Sequence, residues 1–251
     1  MDEATKEQLL ELNRRFYARH ARSFSDSRRR PWSGWERVVE HVGSFGSEVL
    51  RVLDVGCGNG RFGAYLEQQA RGRVQYHGID SCPELLAEAE RRLPLAPDGP
   101  FKAILEETDV IRDGLSRTLG THRYHLIAVF GLLHHLPGRS NRSELLASLG
   151  LHLEPEGLLA VSLWRFDRRP RYREMVVPWS SDRDCPIDPA KLEAGDHLLT
   201  WAGDRETPRY CHLVDDEEVT ELVESSSLRL MDRFAADGAG ADNCYLIFGR
   251  G

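Results

Sequence analysis

Three glycines spaced two residues apart are the most informative chemical pattern in this sequence. The strand-like residues 52–55, apolar except for Asp54, run directly into Gly56, Gly58 and Gly60. Glycine adopts backbone angles that are closed to other residues, so such a loop lets main-chain atoms approach a ligand closely. The pattern predicts a loop that holds a nucleotide-like ligand between a buried strand and the helix after it, although an ordinary strand-to-helix turn is the simpler alternative.

The spacing of the loop favours one kind of nucleotide. A dinucleotide-binding loop has the longer spacing G-x-G-x-x-G and directs a helix N-terminus at a pyrophosphate. The sequence here is the shorter D-x-G-x-G-x-G, and it begins with Asp54. This form suits a ligand that carries a cationic amino acid, such as S-adenosylmethionine, and we expect Asp54 to orient the ammonium group through the loop.

Two further acids follow the next two predicted strands. Asp80 ends the second strand, about 20 residues after the glycines, where a doubly wound fold places the acid that binds a ribose diol. Asp109 follows the third strand. Because the carboxyl ends of parallel strands meet at one edge of a sheet, we expect Asp54, Asp80 and Asp109 to surround the same ligand.

Strand and helix patterns alternate along the chain, which predicts an α/β fold with a parallel sheet. The predicted strands are residues 49–55, 74–79, 101–107, 125–130, 158–163, 228–234 and 243–248, and the predicted helices between them are 61–70, 83–92, 143–152 and 215–225. Helices over 6–19 and 34–42 form an N-terminal cap within residues 1–47. Periodicity fades over residues 164–213, and a segment this long is expected to be functional or mobile. We interpret it as a substrate lid in a single domain of residues 1–251.

The charge distribution bears on the substrate. The 251 residues carry a formal net charge of −7, which argues against a broad electrostatic attraction to nucleic acid. Arginines are nevertheless clustered at residues 28–30 and again at 165–173. The two clusters suggest an anionic substrate, or else a solvated face that neighbouring acids balance.

The sequence gives no sign of a membrane, disulfide or metal role. It has no run of about 18 apolar residues, and its first residues lack the order of a signal peptide. Its five cysteines, one of them Cys185, are scattered without a C-x-x-C pair, so neither a disulfide framework nor a metal site is expected. These features predict a cytoplasmic protein.

With these motifs in view, the chain resembles the class I S-adenosylmethionine-dependent methyltransferases over nearly its whole length. The resemblance implies a Rossmann-like seven-stranded sheet, mostly parallel with one antiparallel strand, plus the N-terminal helical cap and a lid inserted after the fifth strand. It also implies that Asp109 holds the adenine amino group. The expected cofactor-binding residues are Arg28, Asp54, Gly56, Cys57, Gly58, Asn59, Gly60, Asp80, Ser81, Asp109, Val110 and Phe130.

A narrower resemblance depends on short motifs in a fixed order. They are F-S-D-S-R with P-W at residues 24–32, L-H-H-L at 133–136, V-P-W at 177–179, R-Y-C-H-L at 209–213 and N-C-Y at 243–245. Together they resemble the eukaryotic tRNA wobble-uridine carboxymethyl methyltransferases. This resemblance implies methyl esterification of 5-carboxymethyluridine in the tRNA anticodon loop, and a small zinc-binding partner protein as activator.

The chemistry of the donor sets the expected catalytic residues. A sulfonium is an activated leaving group, so transfer to a carboxylate needs alignment and desolvation more than a strong base. The planar fork of arginine matches a carboxylate, so Arg28 and Arg209 are expected to hold an anionic acceptor. Arg28 could instead bind the carboxylate of the cofactor. His135 is expected to donate to the acceptor or shape the pocket, unless it is a packed histidine.

The remaining candidates concern the acceptor. Aromatic side chains stack on unpaired RNA bases, and arginines contact phosphates. The expected substrate-binding residues are Arg29, Trp32, Arg168, Arg169, Trp179 and Tyr210. Two other functions stay open: a small-molecule O-methyltransferase acting on a carboxylic acid or hydroxyl, and a noncatalytic Rossmann-like module that binds a partner.

Overall fold

Helices and strands alternate in the computed structural model largely as the sequence predicts. The structure describes residues 1–43, 49–69, 72–94, 99–181, 187–201 and 204–251. The helices are α1 Glu3–Ser27, α2 Gly34–Val42, α3 Arg61–Gln69, α4 Pro83–Arg92, α5 Leu115–Leu119, α6 Arg139–Gly150, α7 Pro170–Arg173 and α8 Asp216–Ser225. The strands are β1 Leu50–Val55, β2 Val74–Asp80, β3 Phe101–Glu107, β4 Tyr124–Phe130, β5 Leu153–Trp164, β6 Val176–Val177, β7 Asp196–Trp201, β8 Asp204–His212, β9 Leu228–Ala236 and β10 Asn243–Arg250.

Seven strands form the main sheet in the order β3-β2-β1-β4-β5-β10-β9. Strand β10 pairs antiparallel with both β5 and β9, whereas the pairs among β1 to β5 are parallel. The predicted fold, a mostly parallel seven-stranded sheet with one antiparallel strand, is confirmed. The strand order reverses between β1 and β4, which is where open α/β sheets leave a crevice for ligands.

The central strands are buried on both faces, which explains their continuous apolar sequence. On β1, Val52 packs on one side with α2, α3 and α4, while Leu53 packs on the other with α5, α6 and α8. Residues 126–129 of β4 divide in the same way between the two apolar clusters. The alternation holds the carboxyl ends of β1 and β4 in fixed positions beside each other.

Several predicted boundaries differ from the observed ones. Helix α1 extends to Ser27, well past the predicted end at residue 19, and α6 begins at Arg139 rather than residue 143. Helix α5 was not predicted because it has only five residues. Residue 70, Cys185 and the end of the predicted cap, 44–47, lie outside the described residues.

Residues 164–213, over which the periodicity of the sequence fades, contain regular structure. Strands β6, β7 and β8 form a separate antiparallel sheet in the order β6-β7-β8. Leu9 and Leu12 of α1 pack against Leu198 and Tyr210 of this small sheet. The apolar alternation is weak because several side chains buried here are polar, so the pattern did not reveal the strands.

A buried ionic network joins the small sheet to the main domain. The fully buried Arg142 on α6 donates to Glu218 on α8 at 2.6 Å and to Glu193 at 2.7 Å. His212 on β8 contacts Glu218 at 2.6 Å and Asp196 on β7 at 2.7 Å. Each buried charge in the network therefore has a partner of opposite charge. Without such a partner, burying a charged group would destabilise the fold.

The network shifts the pKa values of its members in opposite directions. Burial alone would lower the pKa of His212, but hydrogen bonds to Asp196 and Glu218 outweigh it and raise the pKa. Burial alone would raise the pKa of Glu218, whereas its bonds to His212 and Arg142 lower it. Both shifts favour the charged forms.

Glu218→Gln should destabilise the fold by about 1.5–3 kcal/mol, because it removes the carboxylate that Arg142 and His212 share and leaves Arg142 with Glu193 and His212 with Asp196 alone. Since the folded-state pKa of Glu218 is lowered, its contribution is present above the unfolded value of 4.5 and disappears as the pH falls through the folded value. Urea unfolding should therefore show a difference between wild type and variant that shrinks toward acid pH. The exposed neighbour Glu217→Gln is the control, and equal effects of the two substitutions would contradict the network.

Candidate active site

One cavity lies at the carboxyl ends of the central strands, beneath α1 and the small sheet. Its volume is about 1100 Å³, larger than the roughly 300–1,000 Å³ of ordinary ligand pockets, so it has room for a cofactor and an acceptor group. Of the predicted site residues, the cavity wall includes Arg28, Arg29, Trp32, Asp54, Gly56, Cys57, Gly58, Asn59, Asp80, Ser81, Asp109, Val110, Phe130, His135 and Arg209. The structure thus brings together motifs that are far apart in the sequence.

The glycine loop adopts the conformation that its sequence requires. Gly56, Gly58 and Gly60 have φ angles of +73°, +53° and +69°, a region that favours glycine. A Cβ atom on Gly58 would meet no protein atom within 4 Å, whereas one on Gly60 would lie 3.0 Å from Cβ of Ala89. Gly58 therefore leaves space beside the cavity. Gly60 is not on the cavity wall and instead permits close packing against α4, which corrects its expected role.

Asp80 is shaped to receive hydroxyl groups. Its two carboxylate oxygens accept hydrogen bonds from the backbone N–H groups of Gly58 at 2.8 Å and Cys82 at 2.9 Å. A carboxylate accepts about four hydrogen bonds, so lone pairs are left for a ribose diol. Burial raises the pKa of Asp80, and hydroxyl donors would offset that burial.

The two other acids have different surroundings. Asp54 is buried and accepts a hydrogen bond from the Tyr76 hydroxyl at 2.6 Å, and burial raises its pKa to about 7. Asp109 accepts from the N–H of Ile111 at 3.0 Å and lies 3.4 Å from Nη1 of Arg14. All three acids line one cavity, as the strand-end argument predicts.

The residues present fit S-adenosylmethionine. Gly58 and Asp80 would hold the nucleoside part, and Asp54 lies by the loop where a cationic amino acid part would be bound. When bound, this cofactor supplies a methyl group on an activated sulfonium. The residues of the chain bind and orient the cofactor and the acceptor, and they exclude water.

Arg28 and Arg209 face the cavity without an acidic partner among the described residues, and so does Arg61, whose Nη1 donates to the carbonyl oxygen of Arg30 at 3.0 Å. The guanidinium of Arg209, only 1% exposed, lies 5.3 Å from the Trp164 ring and 5.6 Å from the Trp201 ring. Its Nε is buried and has no hydrogen-bond partner in the described part of the chain. Arg28 lies 3.5 Å from the Phe24 ring and 5.1 Å from Trp201. Burial and the charge of Arg209 lower the pKa of Arg28 to about 9, which indicates a site that an anion would stabilise.

His135 is enclosed between α1 and β8. Its Nε2 lies 2.7 Å from the Tyr17 hydroxyl and its Nδ1 lies 3.1 Å from the carbonyl oxygen of Tyr210. Burial and the charge of Arg209 lower the pKa of His135 to about 3. The imidazole is therefore neutral near pH 7, and both ring nitrogens already have partners.

Four predicted substrate residues lie outside the cavity. Arg169 pairs with Asp242 at 2.6 Å, and Arg168 lies 3.5 Å from the carbonyl oxygen of Ala241. Tyr210 is fully buried with its hydroxyl bonded to Asp196, and Trp179 packs in the cluster around Leu9 and Leu12. The two arginines precede the small sheet and contact the connection between β9 and β10, whereas Tyr210 lies within the small sheet and Trp179 packs with it against α1.

Other cavity residues were not predicted from the sequence. Trp201, Trp164 and Tyr172 supply aromatic walls, and Tyr17 and Arg61 add polar ones. Only two residues, one of them glycine, separate Trp201 from its partner Asp204, a spacing that signals a hairpin. Tyr17 could have been found because residues 13, 17, 24 and 28 share one helical face.

Two groups of potential metal ligands occur among the described residues. They are His134, His135 and Cys211, and Glu193, Asp196 and His212. Burial raises the pKa of the Cys211 thiol to about 11, and the nearby charges of Arg28 and Arg209 oppose a further cation. In the second group the guanidinium of Arg142 already lies within hydrogen-bond distance of Glu193 and His212. The expectation that the site has no metal stays a prediction.

Comparison with known proteins identifies the class. Residues 53–159, which run from β1 into β5, match the sequence model of a family described as a methyltransferase domain. The fold is that of the class I S-adenosylmethionine-dependent methyltransferases, and the expected enzyme class and cofactor are confirmed. None of the described helices has the length and apolar character needed to cross a membrane.

Relatives in two eukaryotes support the same class. A protein of Encephalitozoon cuniculi with the provisional name of a methyltransferase is 26% identical over 218 residues, which are 87% of each chain. The human methyltransferase-like protein 27 is 30% identical over 146 residues, which are 53% of this chain and 54% of the human one. Among solved structures, magnesium protoporphyrin IX methyltransferase from Synechocystis with bound S-adenosylmethionine has a TM-score of 0.54 at 13% identity. The aligned part covers 86% of this chain and 77% of that one, and this likeness supports the fold.

Asp80→Ala should weaken S-adenosylmethionine binding by about 1.5–3 kcal/mol, or roughly tenfold to a hundredfold, because the ribose hydroxyls lose a charged partner. Titration calorimetry measures the change. Glu107→Gln is the control, since Glu107 is paired with Asp80 in the sheet register but is exposed and outside the cavity. Unchanged affinity in Asp80→Ala would mean that the cofactor lies elsewhere.

Proposed function

We propose that this methyltransferase transfers its methyl group to a carboxylate and forms a methyl ester, and that the acceptor is a carboxymethylated wobble uridine in tRNA. One observation carries the proposal: Arg28 and Arg209 face the cavity with aromatic contacts but no carboxylate partner among the described residues. Burying a charge is costly unless it is paired. A bound carboxylate would supply the missing charge.

The groups beside these arginines also favour a carboxylate over a hydroxyl or amine. His135 has a pKa lowered to about 3 and Tyr17 has a pKa raised to about 12 by burial. Neither can take a proton near neutral pH, as a hydroxyl or amine acceptor would require. A carboxylate oxygen needs no base: it forms the new bond to the methyl carbon while the carbon–sulfur bond breaks, and no proton moves.

The tRNA acceptor is supported by the convergence of three motifs. Residues 24–28, 133–136 and 209–213, which carry the resemblance to the wobble-uridine enzymes, each contribute a side chain to the same cavity. Phe24 and Trp201 lie beside the arginines and offer rings for an unpaired base. In this proposal the cytoplasm is the site of action. The net charge of −7 suits a small zinc-binding activator that brings basic surface to the RNA.

A small carboxylic acid is the second candidate acceptor. Arg169 pairs with Asp242 at 2.6 Å, and Arg171 lies 3.5 Å from the same carboxylate. This pairing neutralises part of the arginine-rich segment, which leaves less positive charge for an RNA backbone. The same arginine pair, Arg28 and Arg209, would bind either acceptor.

The methyl group transferred to tRNA should be labile to base. Total tRNA is incubated with the enzyme and radioactive S-adenosylmethionine, the product is treated with mild alkali, and volatile methanol is measured. Release of label supports a methyl ester. A panel of small carboxylic acids is assayed in parallel, and methylation of an acid but not of tRNA would select the second candidate. Label that resists alkali would contradict both.

Arg28→Ala and Arg209→Met should each reduce methyl transfer by roughly tenfold to a hundredfold, corresponding to about 1.5–3 kcal/mol for a charged hydrogen bond. Methionine is chosen at position 209 to fill the buried volume without the charge. Arg22→Ala is the matched control. Arg22 is exposed on α1, the helix that ends one residue before Arg28. Steady-state transfer and calorimetric cofactor affinity are both measured. Equal losses in the two would show that the arginines serve the cofactor instead.

A further inference from the structure

We propose that Tyr17 positions Arg209 for the acceptor and that His135 acts through Tyr17 without touching the acceptor itself. This inference rests on the proposed anion-binding role of Arg209. It assigns a function to the hydroxyl of Tyr17, which neither the sequence motifs nor the comparisons single out. It also replaces the expectation that His135 donates to the acceptor.

The hydrogen bonds of His135 determine which ring nitrogen carries the hydrogen. Nδ1 lies 3.1 Å from the carbonyl oxygen of Tyr210, which can only accept, and 3.4 Å from Nδ2 of Asn13. Because that amide nitrogen donates to the closer carbonyl oxygen of His135 at 3.2 Å, we assign the hydrogen to Nδ1. In a neutral imidazole the other nitrogen is then an acceptor. Nε2 therefore accepts the hydrogen bond from the Tyr17 hydroxyl at 2.7 Å. His135 has no hydrogen left to offer to the cavity.

The hydroxyl of Tyr17 is fixed by this bond. Its hydrogen points at His135, so its lone pairs must point elsewhere, and Nη1 of Arg209 lies 3.5 Å from the oxygen. Among the described residues this contact is the one side-chain hydrogen bond that Arg209 makes, and it orients the guanidinium. The planar guanidinium would then present its remaining donors, including the unpartnered Nε, in a set direction.

The backbone around these groups is also held in place from α1. The amide of Asn13 donates to the carbonyl oxygen of His135 at 3.2 Å and accepts from the N–H of Tyr210 at 2.9 Å. Asn13 and Tyr17 are one helical turn apart, so both lie on the same face. A single helix turn thus fixes His135, Tyr17 and the strand that carries Arg209.

A double-mutant cycle separates the proposed chain of contacts from direct action. Tyr17→Phe should raise the KM for the acceptor about fivefold to tenfold, the loss of roughly one hydrogen bond, and leave cofactor affinity unchanged. His135→Leu should have a similar effect alone and almost none in the Tyr17→Phe background. His135→Gln should retain more activity than His135→Leu, because an amide can accept from Tyr17. Independent effects that multiply would overturn the proposal.

A second measurement does not depend on the acceptor. Nitrogen-15 NMR of the imidazole should show His135 uncharged from pH 5 to 8 with its hydrogen on Nδ1. Tyr17→Phe should change the Nε2 resonance through loss of the hydrogen bond. A charged His135, or a hydrogen on Nε2, would overturn the inference whatever the acceptor is. If the NMR result is as expected but neither tRNA nor any small acid is methylated, the proposed acceptor is wrong and the Tyr17–His135 pair stands.

Discussion

The position of α1 determines the shape of the cavity, because this helix is attached to three separate parts of the chain. Its first turns pack Leu9 and Leu12 on the small sheet, and Asn13 bonds to both His135 and Tyr210. Near its end, Ser25 accepts a hydrogen bond from Asn59 of the glycine loop at 3.0 Å. Cofactor loop, histidine turn and small sheet are therefore aligned by one rigid element. A change in the angle of α1 would move all of them at once.

The electrostatics of the cavity follow from this enclosure. Arg28 and Arg209 are held in an environment of low dielectric, where a charge interacts more strongly than it does in water. The ring of Trp201 faces both guanidinium groups and partly compensates their positive charge by cation–π interaction. The neutral His135 adds no competing charge. An incoming anion would meet two guanidinium groups that lack an acidic partner among the described residues, and preorganised charges act most strongly in such an enclosed site.

The sequence predicted the cofactor half of the cavity far better than the acceptor half. The glycine loop, Asp54, Asp80 and Asp109 could be placed because they stand at the ends of regular strands, where position follows from the fold. Arg28 and Arg209 could be selected by motif. Tyr210 and Trp179 could not be placed correctly, since their orientation depends on the pairing of β7 with β8. That pairing is hidden in the sequence by the buried polar residues Asp196 and His212, which interrupt the apolar alternation.

The contact between Asn13 and Tyr210 spans 197 residues of sequence. During synthesis α1 leaves the ribosome long before β8, so its apolar face stays without its packing partner until β8 has been made. Contacts of such separation carry a large loop-closure cost and form late. Strands β1 to β5 precede Tyr210 in the chain and can pair with one another in the meantime. The pocket cannot be completed before Tyr210 has been made, so a nascent chain remains inactive until most of it has been synthesised.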